Sequence, residues 1–436
     1  MQYFSTKNKC AAVSFKEALF KGLAPDGGLY LPESIPEFDL EFFKSGLSYP
    51  ELACEMIDPY VSGDISTADL EQITKSAFTF DIPLIFLNDK LGVLELFHGP
   101  TLAFKDFAAR FMARCMEHLL YDEITVLVAT SGDTGSAVAN GFFGVKGIRV
   151  VILYPSKRVS PIQEKQLTTL GDNISVLEVE GSFDDCQRMV KEAFLDDNLR
   201  EKRSLSSANS INIARLIPQS VYYAWAWKHV SYGDSVVFSV PSGNFGNINA
   251  GILAKRMGLP VKKFIVATNA NDVFPKYLQS GKIKPQPLKH TLSNAMDVGE
   301  PSNLDRILKL YNHNINALHE DLTSWSFSDN DTRNSIHNTK DSFNYIIDPH
   351  TAVGLLGLKT YHRENGIDCT GIVLATAHPG KFAEVIEPII SEKVSIPKRL
   401  QESMSKEKHA TMLPNQYSYP VSYTHLRAHE TRHDLV

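Results

Sequence analysis

The chain has 436 residues, of which 43% are hydrophobic and 22% are charged, and its formal net charge is −6. This length predicts two or three domains at roughly 150 residues each, and the composition excludes a disordered chain. The acidic balance gives no electrostatic support for binding nucleic acid or an anionic membrane. The five cysteines form no C-x-x-C pair, and no apolar stretch of about 18 residues occurs. We therefore expect a cytoplasmic globular protein.

Residues 1–95 are predicted to combine helices and loops. Ser14 is a suitable N-cap, Glu17 follows three residues later and Gly22 ends the pattern, which predicts a short capped helix. The Pro-Asp-Gly-Gly sequence at 25–28 then predicts a turn.

From about residue 96, short apolar runs alternate with helical patterns. Near-continuous runs are typical of parallel strands covered on both faces, and the alternation predicts a doubly wound α/β sheet. Residues 280–345 are more polar and irregular, so they are predicted to form a peripheral insertion. The predicted strands cover residues 124–129, 148–153, 174–179, 236–240, 264–267 and 372–375.

Lys105 lies at the start of an apolar stripe with helical spacing, for which Thr101 is a plausible N-cap. The helix dipole disfavours a cation in the first turn, and Phe104 and Phe107 flank the lysine. Both effects favour the neutral amine, which is the form that makes a Schiff base. The alternative is a solvated surface lysine.

The loop at 129–140 joins a predicted strand to a helix and is rich in hydroxyl groups. These groups and the backbone N–H groups could bind a carboxylate at the helix N-terminus. The alternative is ordinary helix capping by Ser131, Asp133 or Thr134.

Residues 235–258 predict a strand, a tight loop with Gly243 and Gly246, and a helix capped by Asn247 and ended by Gly258. Glycines let backbone N–H groups converge, and the helix dipole adds partial positive charge, which together suit a phosphate group. The loop lacks the Walker A and G-x-G-x-x-G spacings. A plain strand-to-helix turn is the alternative reading.

Thr376 follows the last predicted strand, at the edge where open α/β sheets bind ligands. Its neutral hydroxyl could hydrogen-bond a ligand without imposing charge. The alternative is a threonine that satisfies nearby backbone groups.

A phosphate loop, a carboxylate loop and a desolvated lysine together describe a pyridoxal phosphate site for an amino acid substrate. The chain resembles threonine synthases, which are in the tryptophan-synthase-β group of pyridoxal-phosphate folds. The resemblance covers residues 1 to about 415 and rests on motifs in the family's order, at residues 22–30, 98–107, 130–135, 241–247 and 375–382.

This resemblance implies doubly wound, mostly parallel α/β sheets and three regions. An N-terminal domain of mixed α/β structure covers residues 1–95, and a catalytic region of two α/β lobes covers 96–415. Residues 416–436 are expected to be a non-native or disordered tail. In that tail, one helical face would carry three histidines, which could bind a metal ion but fit a solvated tail better: His425, His429 and His433.

The resemblance also implies site roles. Lys105 corresponds to the Schiff-base lysine, and Thr376 to the hydroxyl beside the pyridine nitrogen. Ser131, Asp133 and Thr134 would face the substrate, although many relatives in the wider fold group have Asn where Asp133 stands. The cofactor phosphate would bind Gly243, Asn244, Phe245, Gly246 and Asn247, and the substrate phosphate Asn209, Ser210 and Arg215.

The implied reaction converts O-phospho-L-homoserine and water to L-threonine and phosphate, with Lys105 moving the protons. The alternatives are a phospho-lyase on the same substrate and a non-catalytic homologue that binds pyridoxal phosphate. We expect a small-molecule substrate, no nucleic acid, membrane or metal partner, and a monomer or homodimer. Three histidines are interpreted as structural or substrate-orienting residues, or else as supplementary acid–base groups: His98, His350 and His378.

Overall fold

The structure is a computed structural model that describes residues 1–230, 233–284, 286–366 and 368–417. The strands are β1 (Tyr3–Ser5), β2 (Tyr30–Pro32), β3 (Leu84–Asn88), β4 (Leu91–Glu95), β5 (Ile124–Ala129), β6 (Ile148–Pro155), β7 (Ile174–Glu180), β8 (Ser204–Ser207), β9 (Val236–Pro241), β10 (Val261–Thr268), β11 (Leu322–Ser326), β12 (Thr370–Ala375) and β13 (Thr411–Pro414).

Helices connect and cover these strands. In the first half they are α1 (Phe15–Lys21), α2 (Leu40–Phe43), α3 (Tyr49–Val61), α4 (Thr67–Ala77), α5 (Lys105–Leu119), α6 (Asp133–Phe142), α7 (Pro161–Thr168), α8 (Phe183–Leu195), α9 (Asp197–Lys202), α10 (Ile213–Leu216) and α11 (Val221–Lys228). The second half contains α12 (Gly246–Arg256), α13 (Val273–Ser280), α14 (Leu304–Leu310), α15 (Ile315–Asp321), α16 (Asp329–Phe343), α17 (Pro349–Asn365), α18 (Ala383–Ile390) and α19 (Lys398–Met404). Short 3-10 helices are at Ile217–Ser220, Asn294–Met296 and Pro379–Phe382.

The predicted first helix is confirmed as α1. The Ser14 side chain accepts a hydrogen bond from the Glu17 N–H, and the Glu17 carboxylate accepts one from the Ser14 N–H, which completes a capping box. Gly22 follows the helix at a φ of 67°. The N-terminal region also holds the antiparallel pair β1–β2.

Two larger sheets organise the rest of the chain. One has the strand order β11-β10-β9-β12-β4-β3 and is parallel except for β3, and the other has the order β13-β7-β6-β5-β8 and is parallel throughout. Strands β5, β9 and β12 are buried along their whole length, as expected for parallel strands covered on both faces. The predicted fold class and all six predicted strands are confirmed.

A single hydrophobic core joins the N-terminal region to both sheets. The same cluster of buried side chains contains Tyr3 and Tyr60 from the N-terminal region, Val126 from β5 and Phe238 from β9. Backbone and side-chain hydrogen bonds cross the same boundary, for example from Asn212 Nδ2 to the Leu19 carbonyl at 2.8 Å.

The prediction of a peripheral insertion at 280–345 is wrong from about residue 304 onward. Strand β11 pairs in parallel with β10, and α16 packs against α17 and α18. The Arg306 side chain is fully buried. The polarity of this stretch reflects capping and buried polar contacts rather than a position outside the fold.

Within the described part of the chain, no helix combines the length and apolar character needed to cross a membrane. The three tail histidines, His425, His429 and His433, lie outside the described residues.

Candidate active site

Lys105 and Thr376 are brought together by backbone contacts between two loops. The Phe104 N–H donates to the Thr376 carbonyl at 2.9 Å, and Ala103 forms a β-bridge with Ala377. Thr376 follows β12 directly, so Lys105 begins its helix at the carboxyl edge of the larger sheet. This is the edge at which open α/β sheets bind ligands.

The predicted N-cap at Thr101 is wrong. Helix α5 begins at Lys105, and Phe104 occupies the cap position without a side-chain hydrogen bond. The Thr101 N–H and hydroxyl instead donate to the two oxygens of the buried Asp106 carboxylate, at 2.8 and 2.7 Å. This contact closes the turn that leads into the helix, with Leu102 in the left-handed region at a φ of 60°.

The Lys105 amine is held in an environment that weakens its basicity. Burial lowers its pKa to about 8, the Asp133 carboxylate opposes this shift, and the positive charges of Arg215 and Lys381 add to it. The Lys105 Nζ atom lies 5.1 Å from the centre of the Phe104 ring. The structure therefore supports the expected bias towards the neutral amine and argues against a solvated surface lysine.

The loop between β9 and α12 has a backbone that only some residues can adopt. A Cβ atom on Gly243 would lie 2.6 Å from the Met296 Cα atom, so a side chain there would collide with backbone. Phe245 occupies the left-handed region at a φ of 59° and turns the chain into the helix at Gly246.

This loop leaves backbone donors free at a helix N-terminus. Among the described residues, nothing accepts a hydrogen bond from the backbone N–H groups of residues 243–247. Helix α12 is 11 residues long, so its dipole adds partial positive charge at the same place. These features fit a phosphate group and favour it over a plain turn.

Asn247 does not cap α12 as predicted, because it lies inside the first turn. Its Nδ2 atom donates to the Pro241 carbonyl at 2.8 Å and its Oδ1 atom accepts from the Ile248 N–H. The side chain therefore ties the loop back to β9, and only its backbone N–H remains available to a ligand.

Thr376 is buried, and its hydroxyl makes no hydrogen bond to the described residues. Only its backbone carbonyl is engaged, by the Phe104 N–H. The hydroxyl is therefore free to donate to or accept from a ligand near Lys105.

The loop before α6 is capped by a residue that the sequence reasoning missed. The Thr130 hydroxyl accepts from the N–H groups of Gly132 and Gly135, at 3.0 and 2.8 Å. Ser131 and Thr134 are partly exposed and bond to no described side chain, so the alternative of ordinary capping by these residues is wrong. Their hydroxyls remain available to a ligand.

Asp133 is a buried partner of Lys381, for which the sequence suggested no role. The Lys381 Nζ atom lies 2.6 Å from Asp133 Oδ1, which also accepts from Gln163 Nε2 at 2.8 Å. These partners and the charge of Lys105 hold the Asp133 pKa at about 2, although burial of the carboxylate opposes this shift. Lys381 belongs to the motif at 375–382, but its burial depends on contacts that are distant in sequence.

Ser210 links the predicted substrate-phosphate segment to the predicted cofactor-phosphate loop. Its hydroxyl accepts from Asn244 Nδ2 at 2.8 Å and from Asn303 Nδ2 at 3.3 Å. Asn244 Oδ1 in turn accepts from the Ser302 N–H at 2.6 Å. On the other side, Asn209 Nδ2 donates to the Ala129 carbonyl. The structure thus brings residues 129, 209–210 and 244 together.

Two buried arginines hydrogen-bond to the backbone of residues 208–211. Arg215 donates to the Ala208 carbonyl, while its buried Nε atom has no partner among the described residues, and burial lowers its pKa to about 10. Arg306, which the sequence reasoning missed, donates to backbone carbonyls that include those of Ser210 and Ile211. Its hydrogen-bond partners among the described residues are uncharged oxygens, and burial lowers its pKa to about 9. Both guanidinium groups leave positive charge available to an anion.

A cavity of about 1080 Å³ opens onto this side of the site. Its lining includes Asn209, Ser210, Asn244 and Ser302, together with residues of α1 and α8. Neither Lys105 nor Thr376 lines it, whereas Asn209 and Ser210 of the segment predicted to hold the substrate phosphate do.

The histidines are held by structural contacts. His350 Nε2 accepts from the Ala295 N–H while Nδ1 pairs with the buried Asp348. His378 Nδ1 accepts from the Gly380 N–H, and burial lowers its pKa to about 4. His98 pairs with Glu95 at 2.6 Å. These contacts favour the structural reading, and the described residues contain no group of three His, Cys, Asp or Glu side chains able to hold a metal ion.

Comparisons with known proteins agree along the whole described chain. Residues 2–78 match the family model "Threonine synthase N terminus", residues 82–375 match "Pyridoxal-phosphate dependent enzyme", and residues 351–420 match "Threonine synthase, C-terminal". The chain is 44% identical over 405 residues to the threonine synthase of Haemophilus influenzae. The aligned region covers 92% of this chain and 94% of the relative.

Solved structures give the same result. The threonine synthase of Escherichia coli superposes with a TM-score of 0.90 at 41% identity, covering 96% of this chain and 97% of that one. The threonine synthase of Brucella melitensis, solved with pyridoxal phosphate bound, gives a TM-score of 0.92 at 36% identity and covers 98% and 100%.

Proposed function

Because the chain belongs to the threonine synthase family of pyridoxal-phosphate-dependent enzymes, we propose that it converts O-phospho-L-homoserine and water to L-threonine and inorganic phosphate. The observation that carries the proposal is the lowered pKa of the Lys105 amine, on a helix that begins at the carboxyl edge of the larger sheet, where the Phe104 N–H donates to the Thr376 carbonyl. An amine of this kind is suited to bind an aldehyde and to move protons.

The residues present fit pyridoxal phosphate. The free N–H groups of residues 243–247 would hold its phosphate, the Thr376 hydroxyl would bind its ring nitrogen, and the Lys105 amine would bind its aldehyde. When bound, pyridoxal phosphate supplies an electron sink for negative charge at the substrate α carbon. A neutral hydroxyl at the ring nitrogen would temper that sink.

Lys105 would carry the protons in this reaction. Its neutral Nζ atom removes the proton from the α carbon, then moves a proton at the β carbon, and finally returns a proton to the α carbon. After phosphate has left the γ carbon, that carbon takes up the proton lost from the β carbon and becomes the methyl group of threonine. Water then adds its hydroxyl group to the β carbon, and its other proton goes to the released phosphate. The lowered basicity of Lys105 makes the unprotonated form accessible near neutral pH.

The opposite ends of the substrate would be held by two different segments. Asn209, Ser210 and Arg215 would bind the leaving phosphate, and the charge of Arg306 would strengthen that clamp from behind. The hydroxyls of Ser131 and Thr134 at the start of α6 would bind the substrate carboxylate. Asp133, predicted to face the substrate, is better suited to an internal role because Lys381 and Gln163 already engage its Oδ1 atom.

The first prediction concerns Lys105. In K105A, threonine formation should fall by at least about a thousandfold, because the group that moves every proton is lost. The assay incubates the purified protein with O-phosphohomoserine and quantifies threonine, keto acid, ammonia and phosphate. K398A, at a side chain that is 88% exposed, is the matched control and should keep full activity.

The products separate this proposal from its alternatives. Threonine with equimolar phosphate supports it. Keto acid with ammonia would instead identify a phospho-lyase, and pyridoxal phosphate binding without turnover would identify a non-catalytic homologue. Substantial threonine formation by K105A would refute the role of Lys105.

We further propose three regions for the chain: an N-terminal domain at 1–95, the catalytic region at 96–415 and a tail at 416–436. A cytoplasmic protein that is a monomer or homodimer fits the proposed biosynthetic reaction. Size-exclusion chromatography with light scattering tests the oligomeric state, because the monomer mass is 48.6 kDa.

A further inference from the structure

The Lys381–Asp133 pair connects two parts of the site that are distant in sequence. Lys381 lies in the 3-10 helix Pro379–Phe382, just after Thr376, and Asp133 begins α6 on the other sheet. The two side chains are 0% and 5% exposed. The Lys381 Nζ atom also donates to the Thr101 carbonyl at 3.0 Å, in the turn that leads into α5. One ammonium group thus joins the three loops around Lys105.

The charges that face Lys105 come from three elements. Asp133 of α6 favours the protonated amine, whereas Arg215 of α10 and Lys381 disfavour it. Lys381 therefore acts on Lys105 in two ways, through direct repulsion and through its contact with the only carboxylate in this set. Without Lys381, the Asp133 carboxylate would have Lys105 as its remaining nearby lysine partner.

We propose that Lys381 is a positioning residue that engages the Asp133 carboxylate and so keeps Lys105 available as a free amine. This inference rests on the proposed function, because it assigns to Lys105 the reactive role. It also explains why an acidic residue is tolerated at position 133: Asp133 and Lys381 form a neutral pair beside Lys105.

Replacing Lys381 alone would leave the Asp133 carboxylate buried without its closest cation, which can destabilise a fold. The double variant D133N/K381M removes both charges, so that it leaves no unpaired charge buried. The informative variants are therefore K381M, D133N, the double variant D133N/K381M and the charge-keeping K381R. Lys393, which pairs with Glu387 at the surface, offers the matched control K393M.

The direct test measures the basicity of Lys105 in the full chain after removal of pyridoxal phosphate. Competitive acylation with acetic anhydride between about pH 6 and pH 10, read by mass spectrometry of the Lys105 peptide, reports the fraction of neutral amine. We expect K381M to raise the basicity of Lys105 about tenfold, and D133N/K381M to restore it to within about threefold of the original protein. K381R and K393M should leave it unchanged.

The pH profile of kcat/KM gives a second readout. K381M should lose about tenfold near neutral pH and recover at higher pH, while D133N/K381M should recover at both. A pH-independent loss would indicate a merely structural role and overturn the proposal. Unchanged labelling of Lys105 in K381M would also overturn it. If K381M does not fold, a raised basicity of Lys105 in D133N/K381M would overturn it instead. Labelling requires no threonine formation, so this result stands apart from the identity of the product.

Discussion

Lys105 shows how burial and unequal neighbouring charges make a lysine reactive. Burial is the largest influence and disfavours its ammonium form, the Asp133 carboxylate opposes this effect, and the charges of Arg215 and Lys381 add to it. The sequence placed Lys105 at a helix start between aromatic side chains, which indicated the direction of this effect. It could not reveal Arg215 and Lys381 as contributors, because their approach to Lys105 depends on the packing of three separate elements.

The second prediction follows from the lowered pKa of Lys105. The full chain stripped of pyridoxal phosphate should capture added cofactor at a rate that rises with pH and reaches half its maximum near pH 8. Below that pH the rate should fall about tenfold per pH unit, because only the neutral amine attacks an aldehyde. Stopped-flow absorbance measures the rate. A midpoint near 10.5, the usual value for lysine, would contradict the environment described here.

At the scale of elements, the buried parallel strands and the first helix start were predictable, whereas two later helix starts were not. All six apolar runs became strands, since burial on both faces leaves a strong pattern in the sequence. The predicted caps Thr101 and Asn247 both failed, because their side chains hydrogen-bond to other groups in the tertiary structure. A lone cap residue is therefore weaker support for the exact start than the paired capping box of Ser14 and Glu17.

The third prediction concerns the loop before α12. In G243A, the new Cβ atom would collide with the Met296 backbone, so the loop must shift. Its free N–H groups would then no longer point at the same phosphate group. We expect affinity for pyridoxal phosphate to fall at least about tenfold, as measured by equilibrium dialysis. G46A is the matched control, because a Cβ atom on Gly46 meets nothing within 4 Å. Equal affinity in G243A and the original chain would argue against a phosphate at this loop.

At the scale of the whole molecule, segments distant in sequence complete the site and the five-stranded sheet. The Tyr30 carbonyl of the N-terminal region accepts from Arg306 Nε at 3.2 Å, so that region helps to hold the arginine behind Ser210. At the other end of the chain, β13 returns to pair with β7. Such long-range contacts leave no local pattern in a sequence, which is why Arg306 escaped prediction.

The fourth prediction tests the returning C-terminal segment. Truncation after Glu407 removes Lys408, which contacts the carboxylates of Glu164 and Glu178 at 2.8 and 2.6 Å. It also removes β13 with the buried Leu413, and it leaves the β7 edge unpaired. Loss of the buried Leu413 side chain alone should lower the free energy of unfolding by about 2 kcal/mol. The unpaired edge of β7 should also promote aggregation. Truncation after residue 417 keeps every described contact and is the control. Urea denaturation and light scattering measure both effects, and identical midpoints for the two truncations would show that β13 does not stabilise the sheet.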